Sequence, residues 1–349
     1  MFFASDNSGP VHLSVLTALS TANDGYAMGY GGDELTAETV ARIREVFEAP
    51  EAAVYLVATG TAANSLALAT YAQPFQTVFC SDVAHIHEDE CNAPEFYTGG
   101  AKLTLVPTTD GRMTPEALRA TIAGEGTRGV HGPKPGPVSI TNVTERGTRY
   151  TSAEIAALAA VARENGLPVH LDGARFANAL VAEGCTPAEM TWKAGVDVVS
   201  FGGTKNGLMG VEAVVLFDPA RALEFEYRRK RGGHLFSKHR YLTAQMAAYL
   251  ERDLWLDLAR RANAANARLT RALGQIPEVS FLWEPGANMT FAAWPAAAHR
   301  RLFAAGAKYH LWEGSLDGAA DDAPIGARLV CDWSMTDENI DRFVDILRG

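Results

Sequence analysis

Cysteine is scarce and poorly spaced for chemistry. Only Cys80, Cys91, Cys185 and Cys331 occur in 349 residues. None forms a C-x-x-C pair, which excludes a zinc ribbon and a disulfide framework and points to a reduced, cytoplasmic protein. An excess of positive charge is also missing: 31 Lys and Arg stand against 41 Asp and Glu, a net charge of −10. Nucleic acids and anionic membranes are bound by clustered basic residues, so neither partner is expected. No apolar run reaches the roughly 18 residues of a membrane-spanning helix. The opening MFFASDNSGP has no basic leader followed by an apolar stretch, so no signal peptide is read there.

The chain is rich in material for a core. Hydrophobic residues make up 47% and charged residues 21%, which excludes a disordered chain. The length suggests two domains. Short Val-rich bursts at residues 54–58, 77–80, 103–106, 138–141, 169–171, 196–200 and 213–217 are apolar on both faces. Strands of a parallel sheet covered by helices read this way. Helical patterns lie between them. Residues 36–49 place Val40, Ile43, Val46 and Phe47 on one face, and 152–165 carry Ile155, Leu158 and Val161 before Gly166. The fold class is therefore α/β, with a large domain over residues 14–245 built on a mostly parallel sheet. After Thr243 the texture changes. Residues 244–273 read as one long helix, and VSFLWEP, NMTFAAW and ARLVCDW alternate with helical segments. A small α+β domain over 246–349 is expected, with residues 1–13 near the site.

Four local features carry chemistry. In SFGGTKNG, residues 200–207, a buried strand runs through two glycines into Lys205. A surface lysine in a glycine-rich loop would read the same way. The functional alternative is an amine held for imine formation, since enclosure favours the neutral form. In HLDGARFANA, residues 170–179, Asp172 follows a strand. It is either a helix N-cap or, at the carboxyl edge of a sheet where ligands bind, a partner for a protonated ring nitrogen. In ATGTAANSLAL, residues 58–68, Gly60 and Thr61 open a helix whose free N–H groups suit a phosphate. Many strand–glycine–helix turns hold no ligand. In SDVAHIHEDE, residues 81–90, His85 and His87 alternate as in an extended segment, so they point to opposite sides. One of them is placed to stack on a flat ring. His85, His87, Glu88 and Glu90 lack the i, i+4 geometry of a helical metal site, and no metal is assigned.

Each feature alone is weak. Together they supply an anion cradle, a ring platform, a pyridinium partner and an imine-forming lysine, the parts that hold pyridoxal 5′-phosphate. The 33 residues between Asp172 and Lys205 leave room for one helix and one strand.

Over nearly its whole length the chain resembles the threonine aldolases, in their low-specificity L-threonine branch, among the fold-type-I pyridoxal phosphate enzymes. The resemblance rests on FASDN (3–7), YGGDELTA (30–37), VATGTAANSLAL (57–68), DECNAPEF (89–96), PKPGPVSIT (133–141), LDGARFANA (171–179), CTPAEMTWKAGVDVVSFGGTKNG (185–207) and ARLVCDW (327–333). It implies retro-aldol cleavage of a β-hydroxy-α-amino acid to glycine and an aldehyde, in a homo-oligomer, dimer or tetramer, with active sites at the subunit interface. It implies Lys205 as the imine lysine, Asp172 at the pyridine nitrogen, Arg175 at the cofactor oxygen and substrate, and Gly60 and Thr61 as the phosphate turn. It further implies His85 stacked on the ring and Ser5 and Arg328 clamping the substrate carboxylate. Tyr30 and Asp33 match a loop that approaches the neighbouring subunit's site, where YGDD is the usual form. Lys238, in GGHLFSK, is taken as the phosphate-binding basic residue.

One departure matters. Many members carry an ENTH-like run with a histidine near the substrate hydroxyl, where this chain has ITNVTERG, residues 140–147, and Thr144 at the histidine's place. The base must then be His85, His87 or a held water; His85 is chosen, with His87 on the substrate side. An aminotransferase and a β-eliminating lyase share the same cofactor cradle. A catalytically silent cofactor-binding protein is a reading from another class.

Overall fold

The computed structural model describes residues 1–349. Seven strands form the main sheet: β1 (Ala53–Val57), β2 (Gln76–Ser81), β3 (Lys102–Val106), β4 (Lys134–Thr141), β5 (Val169–Gly173), β6 (Val198–Gly202) and β7 (Glu212–Leu216). Each overlaps one of the apolar bursts; β1 and β7 are offset from theirs by one residue and β6 by two. Their order is β1-β7-β6-β5-β4-β2-β3. The pairs β2/β3, β2/β4, β4/β5 and β5/β6 are parallel, and β7 runs antiparallel to both β6 and β1. The three strands β5, β6 and β7 are buried at every residue. This is why they lack the polar alternation of a half-wet strand.

The reversed β7 has a consequence for the site. Its first residue, Glu212, pairs with Gly202, the last residue of β6. The start of β7 therefore lies at the same edge as the carboxyl ends of β1, β2, β5 and β6.

Helix α1 spans Leu13–Ala22 and α2 spans Glu34–Val46. Helix α2 starts two residues before the expected pattern because Asp33 caps it, accepting the Thr36 amide at 2.9 Å. The helix Ser152–Glu164 opens on a capping box made by Thr151 and Glu154. The single long helix expected over 244–273 is instead two, Arg240–Leu250 and Leu254–Leu273. Arg252 and Asp253 break it in left-handed backbone at φ 50° and 57°. Apolar periodicity continued across the break, so the sequence pattern hid it.

A second, antiparallel sheet has the order β10-β11-β9-β8, from β8 (Ser280–Phe281), β9 (Met289–Pro295), β10 (His310–Trp312) and β11 (Pro324–Val330). Strand β10 is too short to leave a sequence pattern. Phe3 is fully buried in the core behind this sheet, among Leu269, Trp294, Leu329 and Phe343. Its amide donates to the Lys308 carbonyl at 2.7 Å, and its carbonyl accepts from the Val330 amide at 2.9 Å. The first residues of the chain are thereby fastened beside β11, and Ser5 and Asp6 emerge toward the main sheet.

Candidate active site

The carboxyl edge of the main sheet holds a cavity of about 350 Å³. Gly60, Thr61, His85, Asp172 and Lys205 all line it, with Asn7, Asn64, Glu90 and Glu212. Five residues scattered over some 145 positions thus meet in one place.

Helix α3 (Gly60–Tyr71) brings the phosphate turn. Thr59 caps it, its hydroxyl accepting the Ala62 amide at 3.2 Å. The amides of Gly60 and Thr61 precede the first intrahelical bonds and stay free for a ligand. A Cβ at Gly60 would meet nothing within 4 Å, so the approach to these amides is open.

Asp172 is the penultimate residue of β5, in register with Thr141 and Ser200. It is not the helix cap that one reading of the sequence allowed. The following helix starts at Phe176 and has Arg175 in the N-cap position without a side-chain bond. Asp172 instead accepts the Ala174 amide at 3.0 Å and the Asn64 side-chain amide at 2.9 Å. The same Asn64 nitrogen donates to Glu90 at 2.9 Å. Beneath these, His170 is sandwiched between the Ser139 and Ser200 hydroxyls, and burial drives its pKa down to about 4.

Lys205 sits on a one-turn segment, Thr204–Asn206, immediately beyond β6. The two preceding glycines are required by close approach. A Cβ on Gly202 would lie 2.5 Å from the Ala174 carbonyl, and one on Gly203 2.4 Å from Leu208. Gly207, at φ +93°, closes the turn. Burial, with the Arg175 charge next, holds the Lys205 ammonium below its ordinary pKa. Glu212 accepts the Gly203 amide at 2.6 Å and so braces the turn from β7. Burial pushes the Glu212 carboxyl up to about 7.

His85 and His87 do not lie in an extended segment, as the alternation suggested. They belong to a single helical turn, α4 (His85–Glu88). The two rings still diverge: His85 is half-buried in the cavity wall and His87 is exposed. The Nδ1 of His85 lies 2.9 Å from Glu90 Oε1. A carboxylate only accepts, so Nδ1 carries the proton and the lone pair is left on Nε2. This bond to Glu90 raises the His85 pKa against the opposing effect of burial.

Arg175 is locked by Asp6 through two bonds, Nε to Oδ2 at 2.7 Å and Nη2 to Oδ1 at 2.9 Å. Burial alone would raise the Asp6 pKa, but Arg175 outweighs it and the carboxyl titrates below its ordinary value. Asn288 also donates to Asp6, at 3.1 Å. Arg328 stands on β11 close enough to Arg175 and Asp6 to feel both charges. Ser5 is half-buried beside Asp6, and its hydroxyl accepts the Asn7 amide at 3.1 Å.

Six of the expected residues are not among those that line the cavity of the single chain: Ser5, Arg175 and Arg328, which are buried or half-buried, and three exposed ones. Tyr30, His87 and Lys238 are exposed and none lines it. Tyr30 and Lys238 share one surface, where the Tyr30 amide donates to the Ser237 carbonyl at 2.9 Å. Thr144 also lies apart, fully buried with its hydroxyl 2.7 Å from that of Thr148. It neither lines the cavity nor has a hydroxyl free to hold a water there.

Asn64, Glu90, Asp6 and Glu212 were not singled out in the sequence for these positions. In the sequence Glu90 stands out only as a candidate metal ligand. Asn64 is the one amide side chain in the run GTAANSLALATY, which is the signal the sequence offers; the fold leaves it 2% exposed.

The cavity suits pyridoxal phosphate. Free helix amides, a carboxylate and an enclosed amine all line it, within the volume range of small-molecule sites. Comparison with known proteins agrees. The β-eliminating lyase family profile matches residues 3–292. The low specificity L-threonine aldolase of Pseudomonas aeruginosa is 40% identical over 346 residues, covering 99% of this chain and 96% of that protein. A second, from another Pseudomonas, is 39% identical over 338 residues, covering 97% and 94%. The threonine aldolase of Leishmania major superposes with a TM-score of 0.92 at 27% identity, covering 99% of this chain and 98% of its own. The chain belongs to the β-eliminating lyase family, among the threonine aldolases and the fold-type-I pyridoxal phosphate enzymes.

Proposed function

We propose that this chain is a carbon–carbon lyase that cleaves L-β-hydroxy-α-amino acids, namely L-threonine, L-allo-threonine and phenylserine, into glycine and an aldehyde by retro-aldol scission of Cα–Cβ. The supporting observation is the meeting of Gly60, Thr61, His85, Asp172 and Lys205 in one cavity, in a chain 40% identical end to end to a low specificity L-threonine aldolase.

Pyridoxal phosphate, when bound, supplies the electron sink for the bonds at Cα. The remaining work falls to the chain. Lys205 provides the amine, and its lowered pKa favours the neutral, nucleophilic form. Asp172 would hold the ring nitrogen, and the Gly60 and Thr61 amides would hold the phosphate. Arg175 and Arg328, with Ser5, hold the substrate carboxylate, a task that suits the planar guanidinium fork. The carboxylate's orientation decides which Cα bond stands perpendicular to the ring. His85, which would lie against the bound ring, takes the β-hydroxyl proton at Nε2 while Glu90 fixes the tautomer.

Residues 14–245 form the cofactor-holding domain in this reading, and 246–349 the small domain that carries Arg328 over it. Tyr30, His87 and Lys238 act across an interface between copies, with Lys238 directed to the neighbouring phosphate. Exposed Leu13, Leu16, Tyr26, Met28 and Tyr30 give one stretch of chain a large apolar surface, which supports a homo-oligomer, a tetramer in this proposal. The reduced cysteines fit a cytoplasmic enzyme.

A substrate panel tests the proposal. L-Threonine, L-allo-threonine, L-phenylserine and their D forms are incubated with the holoenzyme, and glycine and aldehyde are measured. Equimolar glycine and aldehyde from the L series is the expected result. Ammonia plus a keto acid would assign a β-eliminating lyase instead, and a keto acid with transfer of the amine an aminotransferase.

A further inference from the structure

The turn Asn142–Thr148, which replaces the family's histidine-bearing run, has no role in the chemistry above. Two adjacent side chains of this turn nevertheless reach in different directions. Glu145 Oε1 accepts the His85 amide at 2.6 Å, at the start of α4. Arg146 lies over two indoles, 4.5 Å from the Trp283 ring centre and 4.9 Å from that of Trp312. Glu313 is 3.8 Å from its guanidinium.

The indoles belong to the wall that carries Arg328. Trp312 is on β10, opposite Gly326 of β11. Both indoles meet Phe291 edge-on, at 5.3 Å and 5.0 Å. Phe291 is the cross-strand partner of Arg328, and such partners share one face of a sheet. The aromatic platform under Arg146 is thus the floor beside the Arg328 stem.

The turn is stiff. Thr144 and Thr148 are joined by an amide–carbonyl bond of 2.9 Å and by their hydroxyls at 2.7 Å. Gly147 donates to the Thr144 carbonyl at 3.0 Å and accepts from the Gly286 amide at 2.7 Å. A shift of the platform is passed along such a turn rather than absorbed by it.

We propose that Glu145 and Arg146 form a strut that couples the strand of Arg328 to the turn of His85. Docking of the substrate carboxylate on one side is felt at the proton acceptor on the other. Both are positioning residues for the β-hydroxy amino acid. The proposal rests on the reading of Arg328 as the carboxylate clamp.

Two measurements on the holoenzyme test it. Arg146→Met keeps length and apolar contact but loses the cation, and Arg146→Lys keeps a cation. In hydrogen exchange, Arg146→Met should speed exchange about fivefold or more in peptides covering both 84–90 and 308–315, with 152–164 unchanged. Arg146→Lys should restore much of the protection. Faster exchange in 308–315 alone would make Arg146 a local packing residue and overturn the strut. In kinetics, Arg146→Met and Arg328→Lys should combine in kcat/KM with a deviation from the product of the single effects of at least about threefold. Independent effects would overturn it equally. An unchanged KM in Arg328→Lys alone would refute the carboxylate clamp, a failure distinct from the exchange result.

Discussion

The pair formed by Asp6 and Arg175 makes the strongest quantitative demand. The Asp6 side chain is 1% exposed and that of Arg175 9%. The carboxylate takes two nitrogens of the guanidinium and one of Asn288. Asp6→Ala leaves a buried guanidinium without its counter-charge. Breaking a buried pair from one side costs about 3–5 kcal/mol, because the survivor keeps its desolvation penalty. Unfolding entropy is about 2.1 cal/mol/K per residue, or about 0.7 kcal/mol/K over 349 residues, so the midpoint should fall by about 4–7 °C. Asp6→Ala/Arg175→Met should recover part of that loss, since nothing charged then remains buried.

The pH dependence has a definite sign. The folded Asp6 carboxyl titrates below its ordinary value. Its contribution is therefore present above the unfolded pKa of about 3.9 and is lost as pH falls through the folded value. The assay is thermal unfolding of the cofactor-free protein at fixed concentration, at pH 7 and at steps toward pH 3. An Asp6→Ala midpoint within about 1 °C of the parent at pH 7, or a difference that does not shrink toward low pH, would refute the argument. Activity should also fall in Asp6→Ala, since Arg175 loses the partner that aims it.

Legibility in the sequence followed burial. The inner strands of the main sheet are legible because both faces are covered, so each is an apolar, Val-rich run between polar turns; the edge strand β3, buried only at Val106, is legible by its two leucines and valine alone. Strand β10 and the break at Arg252 and Asp253 were not, because three residues carry no period and the apolar spacing runs on across the break. In the site, Lys205 and Asp172 were legible through strands that end on unusual residues. Asn64, Glu90 and Glu212 were not. They act by hydrogen bonds between distant segments, and spacing along the chain does not encode such pairings. Glu212 illustrates this. It lies at the catalytic edge only because β7 runs antiparallel to its neighbours, and the direction of a buried strand cannot be read from its composition. The histidine pair reads as extended in the sequence because two residues separated by one also diverge on a helical turn.

Three further predictions concern the cavity. Lys205→Ala should abolish glycine release while the circular dichroism spectrum and midpoint stay close to the parent; near-normal release would remove Lys205 from its role. Asp172→Asn should cut kcat sharply with cofactor saturating, since the carboxylate at the ring nitrogen is lost while the Gly60 and Thr61 amides remain; a parental kcat would break that pairing. The last prediction concerns His85, whose Nδ1 is occupied by Glu90 and whose Nε2 is the free acceptor. His85→Asn should lower kcat by about 10²–10⁴, the usual worth of a positioned base, and His87→Asn, on the exposed side, should leave kcat close to that of the parent, with any effect confined to KM. A base works in its neutral form, so activity should be lost as pH falls through the His85 pKa. The bond to Glu90 raises that pKa, which moves the acid limb of kcat/KM upward. Glu90→Gln removes the carboxylate but keeps an amide oxygen for Nδ1–H, so the limb should move down in pH while Lys205 still binds the cofactor. A limb that stays in place in Glu90→Gln, or that persists in His85→Asn, would assign the titration to another group and the proton to another acceptor.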